Sequence, residues 1–270
     1  MNFSSPAKIN LSLAVLKKRD DGFHDIKTEF QFLDWGDTIS IEKDKKKTIT
    51  VNNLKIPKEQ NLAHKALILL EKETQRDLDC RITINKNIPI GSGLGGASSN
   101  AATLILSLNK LYNLNRTENE LLKIGEKLGA DIPFFLKGYA SEAQGKGEIL
   151  NVKRFKEDKI LLLLPDCKIL TKKAFEAIDK TNLPFNWQRK KNSFENWVLD
   201  NFEEVKICYK WLEKFAKPRI SGTGSSIYVN IKSFEEGKEI MDNAPKKFKY
   251  VITKTLNQSP LLNELLNTGV

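Results

Sequence analysis

The sequence predicts a mixed fold of strands and helices arranged as two domains. Pro6 to Val15 alternates with the period of two that a half-buried strand requires, Ile9, Leu11, Leu13 and Val15 on one side and Lys8, Asn10 and Ser12 on the other. Further along, Ala101, Leu104, Ile105, Leu108, Leu111 and Tyr112 recur at helical spacing and mark one buried face. A length of 270 residues slightly favours two modest cores over one large one, and the charged stretch Lys153 to Asp158 marks a change of composition between them. The expected domains are residues 1–152 and 153–270.

Composition narrows the class of function. Hydrophobic residues at 40% and charged residues at 29% are ordinary for a globular protein. The net charge of +10 would suit a polyanion, yet the lysines are spread along the chain and not gathered into one arm. Nucleic acid is therefore not the expected partner, and the same balance fits a phosphate-rich small substrate. Cys80, Cys167 and Cys208 are odd in number, with no C-x-x-C spacing that would suggest zinc, so reduced thiols are expected. The N-terminal stretch lacks a basic leader and no later run reaches the length of a membrane span, so the expectation is a cytoplasmic protein without a membrane partner.

The remaining elements follow in order. Asp20-Asp21-Gly22 reads as a turn, leading through Phe23 and His24 to a second strand near Ile26 to Leu33. Asp37 to Val51 alternates again, broken by Lys43 to Lys47, which reads as a solvated hairpin tip. A helix is expected from Asn61 through Leu67 and Leu70 to about Glu73, then a strand at Arg81 to Asn85. Thr117-Glu118-Asn119-Glu120 forms a capping box. It heads a helix packed through Leu121, Leu122, Ile124, Gly125 and Leu128, with Gly129 placed to end it. Asp131, before Ile132-Pro133-Phe134-Phe135, is either an N-cap or a carboxylate in a poorly hydrated place, where acid–base groups are tuned. Gly138 to Ile149 reads as a strand and turn closing the first domain. The second domain contains the apolar run Ile160 to Leu164, a helix over Lys168 to Asp179 and a surface loop over Asn182 to Asn196. Two nearly continuous helices are expected between Trp197 and Phe215, a helix at Glu235 to Asp242 and a strand at Tyr250 to Thr253.

Pro89 to Asn100 concentrates backbone freedom beside hydroxyl groups, with glycine at 91, 93, 95 and 96. A helix beginning there presents N–H groups and the positive end of its dipole, with Ser98, Ser99 and Asn100 able to cap it or to bond a phosphate. Other glycine loops fit poorly. The P-loop needs Lys and then Ser or Thr after its second glycine, whereas Ala97 follows Gly96. The dinucleotide fingerprint wants an acidic residue closing a second strand, and Glu118 sits at a helix start instead. The H-R-D and D-F-G elements of protein kinases are absent.

PIGSGLGGASSNAA resembles the phosphate-binding motif of the GHMP kinases, a family of small-molecule kinases. PAKINL around Lys8, RDDGFH around Phe23 and His24, and GADIP around Asp131 resemble the branch whose acceptor is 4-diphosphocytidyl-2-C-methyl-D-erythritol. Ser221-Gly222-Thr223-Gly224-Ser225 is similar to the family's C-terminal glycine motif, and Asn257-Gln258-Ser259-Pro260-Leu261 to the branch's ending. The fold implied is α+β with two domains, an N-terminal ribosomal-S5-like half and a C-terminal ferredoxin-like half. The activity implied is ATP-dependent phosphorylation of the acceptor's 2-hydroxyl in non-mevalonate isoprenoid biosynthesis, with Mg²⁺ whose protein ligands the motifs leave unidentified.

By the same resemblance Lys8 and Asp131 are catalytic, Asp131 as the general base. Pro89, Ile90, Gly91, Ser92, Gly93, Leu94, Gly95, Gly96, Ala97, Ser98 and Ser99, with Asn61 and Lys86, bind the nucleotide. Asn10, Phe23, His24 and Phe175 bind the acceptor; an aromatic face can stack on cytosine and an imidazole can bond its edge. Taken singly, Lys8 reads as a solvated lysine, His24 as a turn residue and Phe175 as a core residue of an amphipathic helix. The sequence departs from the branch at Phe23, where Tyr is usual, at Gln60, where Asp is usual, and at the polar pair Ser141-Glu142. A kinase of homoserine or mevalonate and a basic RNA-binding module without chemistry are the rival readings. Phe23, His24 and Phe175 argue against the first, and Lys8 with Asp131 against the second.

Overall fold

Two long antiparallel strands, β1 (Asn2–Lys18) and β2 (His24–Lys43), organise the molecule. The computed structural model describes residues 1–52, 54, 56–180 and 192–267. Between these strands lies the expected turn, closed by Arg19 N–H donating to the Phe23 carbonyl at 2.8 Å, with Gly22 at a φ of 82°. The alternation read for β1 is broken by bulges, one of them between Asn10 and Ser12. That bulge changes which face the strand shows: Ile9 packs into one apolar cluster, while Leu13 and Val15 belong to another. The four apolar residues therefore do not share a side.

After β2 come β3 (Thr48–Val51), α1 (Leu62–Thr74), β4 (Cys80–Asn85), α2 (Gly96–Leu111), α3 (Glu118–Glu126), α4 (Ile132–Lys137), β5 (Ser141–Gln144) and β6 (Ile149–Val152). Residues 43–47 are not a hairpin tip. β4 lies between β2 and β3, antiparallel to the first and parallel to the second, so the connection passes over an intervening strand. Local alternation specifies a strand but not its neighbour. The capping box on α3 forms, with Glu120 N–H donating to Thr117 Oγ1 and Thr117 N–H to Glu120. Lys127 is the C-cap, and Gly129 follows it.

The later half contributes β7 (Lys159–Leu163), α5 (Thr171–Asp179), α6 (Glu195–Asn201), α7 (Glu203–Glu213), β8 (Arg219–Ile220), β9 (Ile227–Ile231), α8 (Phe234–Asp242), β10 (Tyr250–Leu256) and α9 (Pro260–Asn267). α6 and α7 are nearly continuous, as expected, parted at Phe202 by one extended residue. The loop expected over Asn182 to Asn196 lies outside the described residues up to 191.

One sheet runs through both halves in the order β3-β4-β2-β10-β7-β9-β8, with β1 and β5 pairing β2. The first apolar core, including Phe30, Phe32, Leu67, Leu104 and Phe134, fills the space between β2, β4 and helices α1 to α4. The second gathers Leu161, Leu163, Phe194, Val205, Leu212 and Val229. A third, with Ala7, Ile9, Leu94, Ile160, Leu162 and Tyr228, takes residues from both halves and seals the seam. The chain's last helix crosses the expected boundary near residue 153: Leu261 is buried in the first core and Ser4 N–H donates to Glu264 Oε2 at 2.7 Å.

Candidate active site

The glycine stretch is folded so that its carbonyls meet protein. The Gly91 carbonyl accepts from Ile169 N–H at 3.1 Å, that of Ser92 from Ser226 N–H at 3.0 Å, that of Gly93 from Ser221 Oγ at 3.1 Å, and that of Leu94 from Lys8 N–H at 3.0 Å. By contrast, no acceptor among the described residues takes the N–H groups from Gly91 to Ser98. Those of Gly96, Ala97 and Ser98 are the first of α2, for which a helix has no internal partner. A row of N–H groups at a helix N-terminus, backed by its dipole, is an anion cradle. Gly91, Gly93 and Gly95 all take positive φ, 72°, 78° and 73°. A Cβ on Gly93 would collide with the Ser221 carbonyl, and one on Gly95 would lie 2.8 Å from the Phe135 ring. Both positions are closed to other residues.

The expected capping by Ser98, Ser99 and Asn100 is not found. Gly95 is the N-cap, and no side chain bonds the helix start. Ser99 Oγ donates to the Pro6 carbonyl at 2.7 Å, and Asn100 Nδ2 donates to Ser5 Oγ at 2.8 Å and Asp37 Oδ2 at 2.9 Å. Helical geometry turns these two inward, where they tie α2 to the main strands. Of the residues expected at the site, Ser99 alone does not line the cavity.

That cavity measures about 960 Å³ and extends from the glycine loop to α5. At its centre Lys8 is buried, 4% exposed, with Nζ donating to Asn10 Oδ1 at 2.6 Å and standing 3.7 Å from Asp131 Oδ2. Asn10 is held by Nδ2 donating to Thr28 Oγ1 at 2.8 Å. Burial pulls the Lys8 pKa below its usual 10.5, and the Asp131 charge opposes that shift. Asp131 occupies the N-cap position of α4 without capping it. Its side chain is 36% exposed, so the poorly hydrated setting expected for it is not observed. Ile132, Phe134 and Phe135 turn into the core instead. The desolvated member of the pair is the lysine.

At the α5 end, Phe23 is 55% exposed, with Lys146 Nζ 4.8 Å from its ring centre. His24 stacks on Phe175, ring centres 4.8 Å apart and planes at 27°, and Phe194 meets Phe175 edge-on. The ring lying against Phe175 is thus that of His24. His24 Nε2 contacts Asp179 Oδ1 at 2.6 Å, and Lys18 Nζ donates to Asp179 Oδ2 at 2.6 Å.

Asn61 lines the cavity while capping α1, its Oδ1 accepting from Ala63 N–H at 3.0 Å. Lys86 is buried against Asp37 and donates to Asn100 Oδ1 at 3.3 Å, close behind the first turn of α2. Several residues that shape the site carried no signal in sequence. Asp37, fully buried, accepts from Asn87 N–H at 2.7 Å and Ile88 N–H at 2.8 Å, fixing the entry to the glycine loop. Asn192 Nδ2 donates to the Ile220 and Gly222 carbonyls, both at 2.8 Å, and so ties the second glycine turn to the residues that precede α6. Asp179 belongs to no motif and stands behind His24, while Lys146 reaches the cavity from the turn between β5 and β6.

The GHMP kinases N terminal domain matches residues 61–139. A 4-diphosphocytidyl-2-C-methyl-D-erythritol kinase of Psychromonas ingrahamii is 37% identical over 277 residues, covering 99% of this chain and 97% of the relative. The kinase of the same name from Colwellia psychrerythraea is 35% identical over 283 residues, covering 97% and 92%. A crystal structure of 4-(cytidine 5'-diphospho)-2C-methyl-D-erythritol kinase matches at a TM-score of 0.80 and 25% identity, covering 94% of this chain and 99% of that one. A mevalonate kinase structure, at 16% identity and a TM-score of 0.65, covers 96% and 100% and shares the fold. With identity above 30% across nearly the full length of such relatives, and the two-domain α+β architecture in common, the chain belongs to the 4-diphosphocytidyl-2-C-methyl-D-erythritol kinase family, a branch of the GHMP kinases.

Proposed function

We infer that the protein is an ATP-dependent small-molecule kinase that phosphorylates the 2-hydroxyl of 4-diphosphocytidyl-2-C-methyl-D-erythritol in non-mevalonate isoprenoid biosynthesis. The family supports this reading, and one observation supports the roles within the site. Lys8 Nζ and Asp131 Oδ2 stand 3.7 Å apart beside the glycine loop, too far for a committed hydrogen bond and close enough to share one alcohol. Asp131 takes the proton of that hydroxyl as its oxygen bonds to phosphorus, and the bond to the nucleoside diphosphate leaving group breaks. Lys8, itself buried, offsets the negative charge that develops at the oxygen.

The N–H row from Gly91 to Ser98, with Pro89, Ile90 and Lys86 around it, cradles the phosphates, and Asn61 borders the nucleotide. Phe23, His24, Phe175 and Asn10 receive the cytidine diphosphate end. ATP supplies the phosphoryl group, and Mg²⁺ offsets charge on its phosphate oxygens. The described residues contain no group of three His, Cys, Asp or Glu side chains able to hold a metal, which fits an ion carried chiefly by phosphate. The deciding experiment is incubation with ATP, Mg²⁺ and the cytidylylated methylerythritol, followed by mass spectrometry and phosphorus NMR. The product should gain one phosphate at the 2-position. No phosphorylation there, or faster turnover of homoserine or mevalonate, would reject the reading.

A further inference from the structure

His24 has one ring nitrogen committed and one not. Nε2 lies 2.6 Å from Asp179 Oδ1, and the described residues offer Nδ1 no partner. An ionised carboxylate can only accept, so Nε2 carries the proton and the neutral ring is left with Nδ1 as an acceptor. Lys18 Nζ, 2.6 Å from the other Asp179 oxygen, holds that carboxylate in place. The ring cannot easily turn to exchange its nitrogens, because it is 7% exposed and stacked on Phe175.

We propose that Asp179 is a positioning residue that sets base specificity: it holds His24 in the Nε2–H tautomer, so that Nδ1 accepts from the 4-amino group of cytosine and opposes the 4-oxo group of uracil. The proposal rests on the reading that His24 faces the acceptor's base. A polar site built for a donor rejects an analogue that presents an acceptor, because both groups lose water and gain no bond. Asp179 touches no substrate and acts only through His24.

The test compares the cytidine acceptor with its uridine counterpart in wild type, Asp179→Ala and His24→Ala, with nitrogen-15 NMR of the imidazoles. The chain has only two histidines, so the His24 signals are assigned by loss in His24→Ala. Wild type should show the Nε2–H tautomer and prefer the cytidine acceptor by about 100-fold in kcat/KM. Asp179→Ala should mix the tautomers and cut that preference to about tenfold or less. It should also raise KM for the cytidine acceptor several-fold, with KM for ATP within about twofold and an unchanged melting profile. A protonated Nδ1 in wild type would overturn the proposal, as would an Asp179→Ala enzyme with the same tautomer and the same base preference. If His24→Ala raises acceptor KM while Asp179→Ala does not alter preference, only the proposal fails. If His24→Ala leaves acceptor KM untouched, the reading of His24 fails and the proposal with it.

Discussion

The two ends of the cavity are made in opposite ways. The proposed phosphate end is backbone: consecutive N–H groups from Gly91 to Ser98, contributed by one stretch of chain and aimed by carbonyls that three other segments hold from behind. The proposed acceptor end is side chain, with Phe23 and His24 beside the first turn, Lys146 on the β5–β6 turn and Phe175 on α5, and Asp179 behind His24. A backbone site needs particular conformations, which only glycine supplies cheaply, and so it marks the sequence. A side-chain site needs only convergence, and its residues stand out in the sequence only where a resemblance singles them out. Lys8 and Asp131 sit where the two ends meet.

Four measurements would break or sharpen that contrast. The largest effect is expected at the junction: Asp131→Asn should lower kcat at least about a hundredfold, the contribution of a positioned base, while KM for ATP changes little. Near-normal turnover would remove Asp131 from the chemistry. At the phosphate end, Gly93→Ala should destabilise the fold by about 3 kcal/mol, from positive φ and the clash with the Ser221 carbonyl. Thermal melting and ATP titration should both register it, and a variant with wild-type values in each would show that the close approach of the two glycine turns is not required.

Phe23→Ala should leave melting and KM for ATP nearly unchanged and raise KM for the acceptor about tenfold, the scale of one lost base stack. A matching loss of ATP affinity would mean that the ends are not separable. The smallest effect is in pH. Because burial lowers the Lys8 pKa, its ammonium is lost below 10.5, and the alkaline limb of kcat/KM should fall there too. The residual activity of Asp131→Asn should show that limb lower still, since the opposing carboxylate charge is gone. The sign for stability is reversed. A buried lysine whose pKa is lowered costs stability while charged, and the cost is relieved only as pH rises through its folded value toward 10.5. Lys8→Met should therefore melt no lower than wild type at neutral pH despite losing turnover.

By itself the sequence determined most of the local elements and pointed to the proposed phosphate end. The turn at Gly22, the capping box at Thr117 and Glu120, and the helix after Gly95 depend on φ preferences and hydrogen bonds between near neighbours, which residue types report directly. Resemblance extended that reading to Lys8 and Asp131. Folding alone decided which strand lies beside which, as the insertion of β4 between β2 and β3 demonstrates, and where a bulge turns Leu13 away from Ile9. It also decided the environment of each charge. Asp131 precedes a run of buried apolar residues yet faces the open cavity, whereas Lys8, on a strand that alternates with polar residues, is the buried group. Burial and electrostatic partnership belong to whatever packs against a residue from elsewhere in the chain, and for His24 that is Asp179, 155 positions away.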